Sequence, residues 1–197
     1  MTTADKLLRI KTDFDEVYSA GYEKGKAESS GEVDNSMLDA IIAKTVTHLE
    51  SQTATSVGNV VFTDFTTIQS INLPLVETVG QYAFRRITNL TSVNLPVVKT
   101  LEMECFFGAK NLSYIDLPEV QKIAKGVFST SGLKTLIIRT PSVCTLANVS
   151  GLGTTPIANG EGFIYVPDDL VESYKAATNW STYAEQIKGI SELEVSE

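Results

Sequence analysis

The sequence predicts an α+β solenoid: about five repeats of 22 residues, preceded by an N-terminal helical stalk and closed by a C-terminal helical cap. Three observations lead there. Two independent columns of apolar residues recur with one period, prolines stand at one fixed place in that period, and the segments before and after the repeats have a different, helical pattern.

The repeats come first because self-similarity determines the whole architecture. Ile68-Gln-Ser-Ile71-Asn-Leu73-Pro74, Leu90-Thr-Ser-Val93-Asn-Leu95-Pro96 and Leu112-Ser-Tyr-Ile115-Asp-Leu117-Pro118 stand 22 residues apart, since 90 − 68 and 112 − 90 are both 22. Leu133-Lys-Thr-Leu136-Ile-Ile138 follows after 21. In the second half of the unit, Val57, Val79, Leu101 and Ile123 keep the same step, as do Phe62, Phe84, Phe106 and Phe128. Projected forward, the first of these columns reaches Cys144.

Within a unit, Ser92-Val93-Asn94-Leu95 alternates as a strand does, with Val93 and Leu95 toward the core and Ser92 and Asn94 outward. Pro74, Pro96 and Pro118 end these strands, because proline cannot donate to a ladder. The Phe column then enters beneath the sheet from the return segment, so that stacked neighbours share one core. Applied to all five strands, the alternation assigns two outward columns as a candidate binding face: His48, Ser70, Ser92, Tyr114 and Thr135, and Glu50, Asn72, Asn94, Asp116 and Ile137. Among these Tyr114 is the candidate contact anchor, as an aromatic on a flat polar sheet.

The ends of the array are irregular. In the first unit Val46 and Leu49 keep the pattern, but Ser51 and Ala54 replace the apolar residues found at Leu73 and Val76, as a terminal coil with a single neighbour requires. Between Leu136 and Ile164, taken as equivalent strand positions, lie 28 residues, so the fifth unit carries about six extra. The stretch Ser150-Gly-Leu-Gly-Thr-Thr-Pro156 is expected to hold them as a surface loop. Beyond it, Pro167-Asp168-Asp169 reads as a helix start with a capping carboxylate, and Leu170, Val171, Tyr174 and Trp180 as residues that cover the last coil.

The N-terminal segment is a separate module. Leu7, Ile10, Phe14 and Val17 are spaced 3, 4 and 3, a seam of the coiled-coil kind suited to oligomerisation, although an amphipathic helix lying on its own chain has the same pattern. Gly25-Lys-Ala-Glu-Ser-Ser-Gly31 follows as a linker. The expected division is therefore residues 1–31 as stalk and linker and 32–190 as the repeat domain, with an N-terminal cap over 32–45 and the helical cap over 167–190.

Composition excludes several functions. A formal charge of −8 with a pI near 4.7 opposes binding to nucleic acid, which needs clustered Lys or Arg. Cys105 and Cys144 offer neither a disulfide framework nor zinc spacing and read as buried thiols. The single histidine, His48, alternates outward beside Leu49 and has no partners for a triad. Glu102 and Glu104 read as a solvated face rather than paired acid catalysts. No phosphate-binding glycine motif follows a strand. The sequons at Asn89 and Asn111 recur because the repeat does. No metal or cofactor is expected, and no window approaches the roughly 18 apolar residues of a membrane span. The first ten residues mix charges where a secretory signal needs an apolar run, so synthesis without a signal peptide is expected.

These repeats resemble the BspA-like leucine-rich repeats of bacteria and their phages, whose pattern is Leu-x-x-Ile-x-Leu-Pro-x-Val followed by Ile-Gly-x-x-Ala-Phe. The match is close in Val79-Gly80-Gln81-Tyr82-Ala83-Phe84, covers about residues 37 to 190, and includes the ending from Gly162 to Trp180. It implies a right-handed leucine-rich-repeat superhelix that works by binding, without one fixed ligand. The head, in its Thr-Ala-Asp-Lys-Leu start and its Val-Tyr-Ser-Ala-Gly-Tyr-Glu-Lys-Gly-Lys run, resembles N-terminal segments of structural proteins from phages and prophages of Gram-positive bacteria. Together these imply a virion protein of tail, baseplate or fibre that recognises a protein or cell-surface glycan, docks on other virion proteins through its helix, and forms a homo-oligomer, a trimer for preference. A bacterial surface or secreted adhesin is the alternative, and passive decoration a third.

Overall fold

The computed structural model describes residues 44–193. The predicted stalk over 1–31, with Leu7, Ile10, Phe14 and Val17, and nearly all of the predicted N-terminal cap lie outside the described residues.

Among the described residues, twelve short strands carry a solenoid-like repeat. The odd-numbered set to β11 forms one side: β1 (His48–Glu50), β3 (Ser70–Asn72), β5 (Ser92–Asn94), β7 (Tyr114–Leu117), β9 (Thr135–Ile138) and β11 (Phe163–Val166). All but β5 and β7 pair in parallel with the next at the register the period demands, His48 beside Ser70, Ser70 beside Ser92, Tyr114 beside Thr135 and Thr135 beside Phe163. One junction departs: β1, β3 and β5 form one ladder and β7, β9 and β11 another.

The return segments contain a second parallel sheet that the periodicity alone does not reveal. Its two-residue strands are β2 (Ser56–Val57), β4 (Thr78–Val79), β6 (Thr100–Leu101), β8 (Lys122–Ile123) and β10 (Thr145–Leu146). Past this sheet, alternate backbone groups of each turn bond to the next repeat: Phe62, Phe84 and Phe106 donate to the carbonyls of Ala83, Cys105 and Val127 at 2.8, 2.9 and 3.0 Å. To do so, Val60, Tyr82, Glu104 and Gly126 all adopt the left-handed conformation, as do Asp64, Arg86, Gly108 and Thr130.

One hydrophobic core runs from Val46 to Ile187. Its axis is the Phe column, with ring centroids 5.5 Å apart between Phe62 and Phe84, 5.3 Å between Phe84 and Phe106, and 5.9 Å between Phe106 and Phe128. Leu152 continues this column, since Phe128 and Thr130 donate to the carbonyls of Gly151 and Gly153. That corrects the expectation of a surface loop over Ser150–Pro156: Leu152 and Thr155 are buried, and the stretch supplies the last coil's return turn. In the neighbouring column, Leu146 rather than Cys144 pairs with Ile123, because the fifth return segment is two residues longer (146 − 136 = 10 against 123 − 115 = 8). Cys144 is nonetheless buried.

The ending is less helical than expected. Its only α-helix among the described residues is α1 (Val171–Ala176), flanked by 3-10 turns at Asp168–Leu170 and Trp180–Gln186. Asp168 does not cap α1; its carboxylate instead accepts from the N–H and hydroxyl of Ser191. The chain then adds β12 (Ile187–Gly189) in parallel beside β11. Tyr174 and Trp180 are buried against the last coil, and Leu170 and Val171 pack at its margin, as predicted.

Candidate binding face

Period 2 places the two outward columns on one face of the odd-numbered strands. His48, Glu50, Ser92 and Asn94 are exposed, and Ser70, Asn72, Asp116 and Thr135 are partly so. Tyr114 is the most open aromatic among the described residues, at 50%. Val93 and Leu95 point inward, as the alternation requires, although Val93 alone in its column is only partly buried.

Ile137 is a correction: it is fully buried although it occupies an outward position. It stands between Asp116 on β7 and Tyr165 on β11, and the Arg139 side chain crosses beside it to reach Asp116. An apolar side chain so enclosed leaves the face and becomes packing beneath its neighbours.

The sequence argument stopped one strand short. Phe163 lies beside Thr135, Tyr165 beside Ile137 and Lys188 beside Tyr165, so both columns continue onto β11 and the second reaches β12. Lys188 Nζ sits 3.9 Å from the centre of the Phe163 ring, a cation–π contact. Extending the alternation through Ile164, already aligned with Leu136, is the signal that finds them.

The polar columns are wired along the solenoid. His48 Nδ1 and Ser70 Oγ are hydrogen-bonded at 2.7 Å. In the second column Asn94 Nδ2 donates to Asn72 Oδ1 at 2.7 Å, and Asn72 Nδ2 donates to Glu50 Oε1 at 3.1 Å. Farther on, Arg139 holds Asp116 through both Nε and Nη2 at 2.8 to 3.1 Å. Burial and the Asp116 carboxylate push the Tyr114 phenol above its usual range, with Arg139 opposing. These three side chains therefore form one electrostatic group.

Glu102 and Glu104, read as solvated, each pair with a cation of another repeat: Lys122 Nζ at 3.1 Å and Arg85 Nε at 3.0 Å. Desolvation pushes the Cys144 thiol up to about 12 and that of Cys105 well above its ordinary value, which suppresses the reactive thiolate. No group of His, Cys, Asp and Glu among the described residues is arranged to hold a metal ion. No helix among them is long and apolar enough to cross a membrane.

No curated relative matches the chain. The family model of the BspA type leucine rich repeat region matches residues 43–148 in six copies, more than half the chain and the stretch that holds β1 to β10. By its repeats and by the parallel coils they build, the chain belongs to the BspA-type leucine-rich repeat family.

Proposed function

We propose that this protein is a non-enzymatic binding module whose odd-strand face recognises a protein or a cell-surface glycan, and that it acts as a component of a phage particle. The observation that carries the binding reading is the face itself: two in-register polar columns around Tyr114, half exposed on an otherwise hydrogen-bonding surface. A half-exposed aromatic on a polar sheet is suited to be an interface anchor. Weak contacts of a small face gain from several copies at high effective concentration. The virion address rests on the similarity of the N-terminal run to phage structural proteins, and the same segment, through Leu7, Ile10, Phe14 and Val17, is proposed to join copies into a trimer or to dock on other virion proteins.

Two measurements test this. Labelled antibody against the protein should decorate purified phage particles of the host strain; decoration of the bacterial surface in the absence of phage supports the adhesin reading instead. Full-length protein should bind host cell-wall material or surface protein, and the Tyr114→Ala variant should bind it at least about tenfold less tightly, the scale of one lost anchor. Equal binding by both proteins would remove the strand face from the mechanism. Light scattering on the full chain and on a chain starting at residue 35 should give a multimer and a monomer.

A further inference from the structure

The two ends of the array are finished differently. At the C-terminal end the sheet edges are occupied by the chain itself: Gly189 N–H on β12 donates to Glu192 Oε1 at 3.1 Å, Ile187 N–H donates to Ala184 O, and the edge beside β10 takes donors from Asn179 and Trp180. The N-terminal end has no such closure among the described residues. Thr47 O accepts from Gln69 N–H at 2.7 Å and Ser51 N–H donates to Asn72 O at 3.2 Å, so the alternate residues His48 and Glu50 turn their backbone groups away from the array. Ser56 does the same on β2, between Thr55 and Val57, whose carbonyls accept from Glu77 and Gly80. In the turn, the carbonyls of Gln81, Ala83 and Arg85 accept from Val60, Phe62 and Asp64. Their counterparts one repeat earlier, on Asn59, Val61 and Thr63, receive no backbone donor from the described residues.

The first coil is nonetheless not bare, since Val46, Leu49, Val57 and Phe62 are all buried. A terminal coil has a repeat on one side only, and that neighbour alone does not cover the other flank of its core. The backbone at the entry to the coil indicates what does. Lys44 holds φ at 54°, in the left-handed region where helices commonly end. Thr67 Oγ1 donates to Lys44 O at 2.9 Å and to Val46 O at 2.8 Å, which fixes this entry to the second half of the first coil, and Lys44 Nζ lies 5.2 Å from the centre of the Phe65 ring. The residues directly before it are Ser36-Met-Leu-Asp39-Ala-Ile41-Ile42-Ala43. A serine three residues ahead of an acid is a helix start that satisfies orphan N–H groups, and Met37, Leu38, Ile41 and Ile42 recur at a spacing of four, on one helical face.

We propose that residues 36–43 form a short helix that stops at Lys44 and lies across the N-terminal end of the solenoid, with Met37, Leu38, Ile41 and Ile42 against Val46, Leu49, Val57 and Phe62. A helix of this length does not persist alone in water, so the apolar end of the core that it covers is what stabilises it. The array is then closed at both ends by its own chain. Its first strands do not recruit a second copy edge to edge, and association is left to residues 1–31.

The test uses the full chain with carbon-13 in its methyl groups. The Ile41 and Ile42 methyls should show nuclear Overhauser contacts to the Phe62 ring and to the methyls of Val46, Leu49 and Val57. In a mixture of labelled and unlabelled chains the isotope-filtered spectrum should lack these contacts, because they form within one chain. In the full chain Ile41→Asp should lower the melting temperature by about 5 °C, and Ser36→Ala by less. Contacts that appear between chains in the mixed sample would give this end to a second copy and overturn the proposal. So would the absence of any contact between these methyls and the first coil, or an Ile41→Asp melt that overlays the unmutated protein. Should Ile41→Asp fail to fold, the spectra of the unmutated chain still decide.

Discussion

The indole Nε1–H of Trp180 donates to the main-chain carbonyl of Cys144 at 2.6 Å, and the side-chain amide of Asn179 next to it donates to the carbonyl of Leu146 at 2.8 Å. Cys144 and Leu146 follow the column positions of Gln121 and Ile123, whose carbonyls accept N–H groups of Thr145 and Ala147 from the next coil. Two side chains of the cap thus stand where the N–H groups of one more return strand would be, and the open edge of the even-numbered sheet is closed without another repeat.

Removing this mimicry should destabilise the array from its end. Trp180→Phe keeps most of the ring but leaves a buried carbonyl unpaired, at a cost of about 1–3 kcal/mol. Asn179→Gly preserves the left-handed backbone there and deletes only the donor, and should cost less because its site is nearer solvent. Urea unfolding of the two single variants and the double variant will check this, with a non-additive double expected because both bonds close the same edge.

Phe106 lies in the middle of the ring stack and is fully buried, so Phe106→Ala should cost about 3–5 kcal/mol. Phe62, the first ring of the stack, has its stacked neighbour Phe84 on one side and a small residual exposure. Phe62→Ala should therefore cost less than Phe106→Ala in the same thermal melt.

Val60 holds φ at 66° although it is β-branched, whereas the equivalent position two repeats beyond Tyr82 is Gly126 at 69°. Left-handed backbone costs a non-glycine residue about 1–2 kcal/mol. Val60→Gly should accordingly raise stability by about 0.5–1 kcal/mol, after the larger entropy of the unfolded glycine chain is offset. Gly126→Ala should do the opposite and by more, because a Cβ there would stand 2.9 Å from Cγ of Glu104. Denaturant midpoints of the two variants should move in opposite directions.

Stability should fall at alkaline pH. Burial raises the thiols of Cys105 and Cys144 and the phenols of Tyr174 and Tyr183 in the folded chain, so each holds its proton longer folded than unfolded. Below the unfolded values their contribution is complete; above them the unfolded chain releases protons that the folded chain retains, and stability declines. For Cys144 the window runs from its ordinary 9.0 to about 12. Melting temperatures should hold level around neutrality and drop steadily above pH 9, with a shallower drop in Cys144→Ala. Thiol-specific reagent should react with neither cysteine until the protein unfolds.

How far the fold was legible depended on whether a residue's role follows from its place in the period. The columns of Leu49, Ile71, Val93 and Ile115 and of Phe62, Phe84, Phe106 and Phe128, the prolines after the strands, and the outward polar face all follow from 22 and from strand alternation, because each is a local preference repeated in phase. Roles set by what lies alongside were not legible. Ile137 looks outward by alternation yet is buried, since Tyr165 and the Asp116–Arg139 pair enclose it. Two extra residues in the fifth return segment move Leu146 into the column projected for Cys144. Asp168 has a helix-capping context but bonds Ser191, brought to it only when β12 joins β11. The left-handed turns, the interrupted ladder at β5 and β7, and the donors that Trp180 and Asn179 lend to the last strand likewise depend on partners about 20 to 36 residues away. Periodicity by itself determined that the chain coils and which face it shows; the lateral hydrogen bonds and packing between coils, which exist only once neighbours are stacked, decided where that coiling ends and where the face opens.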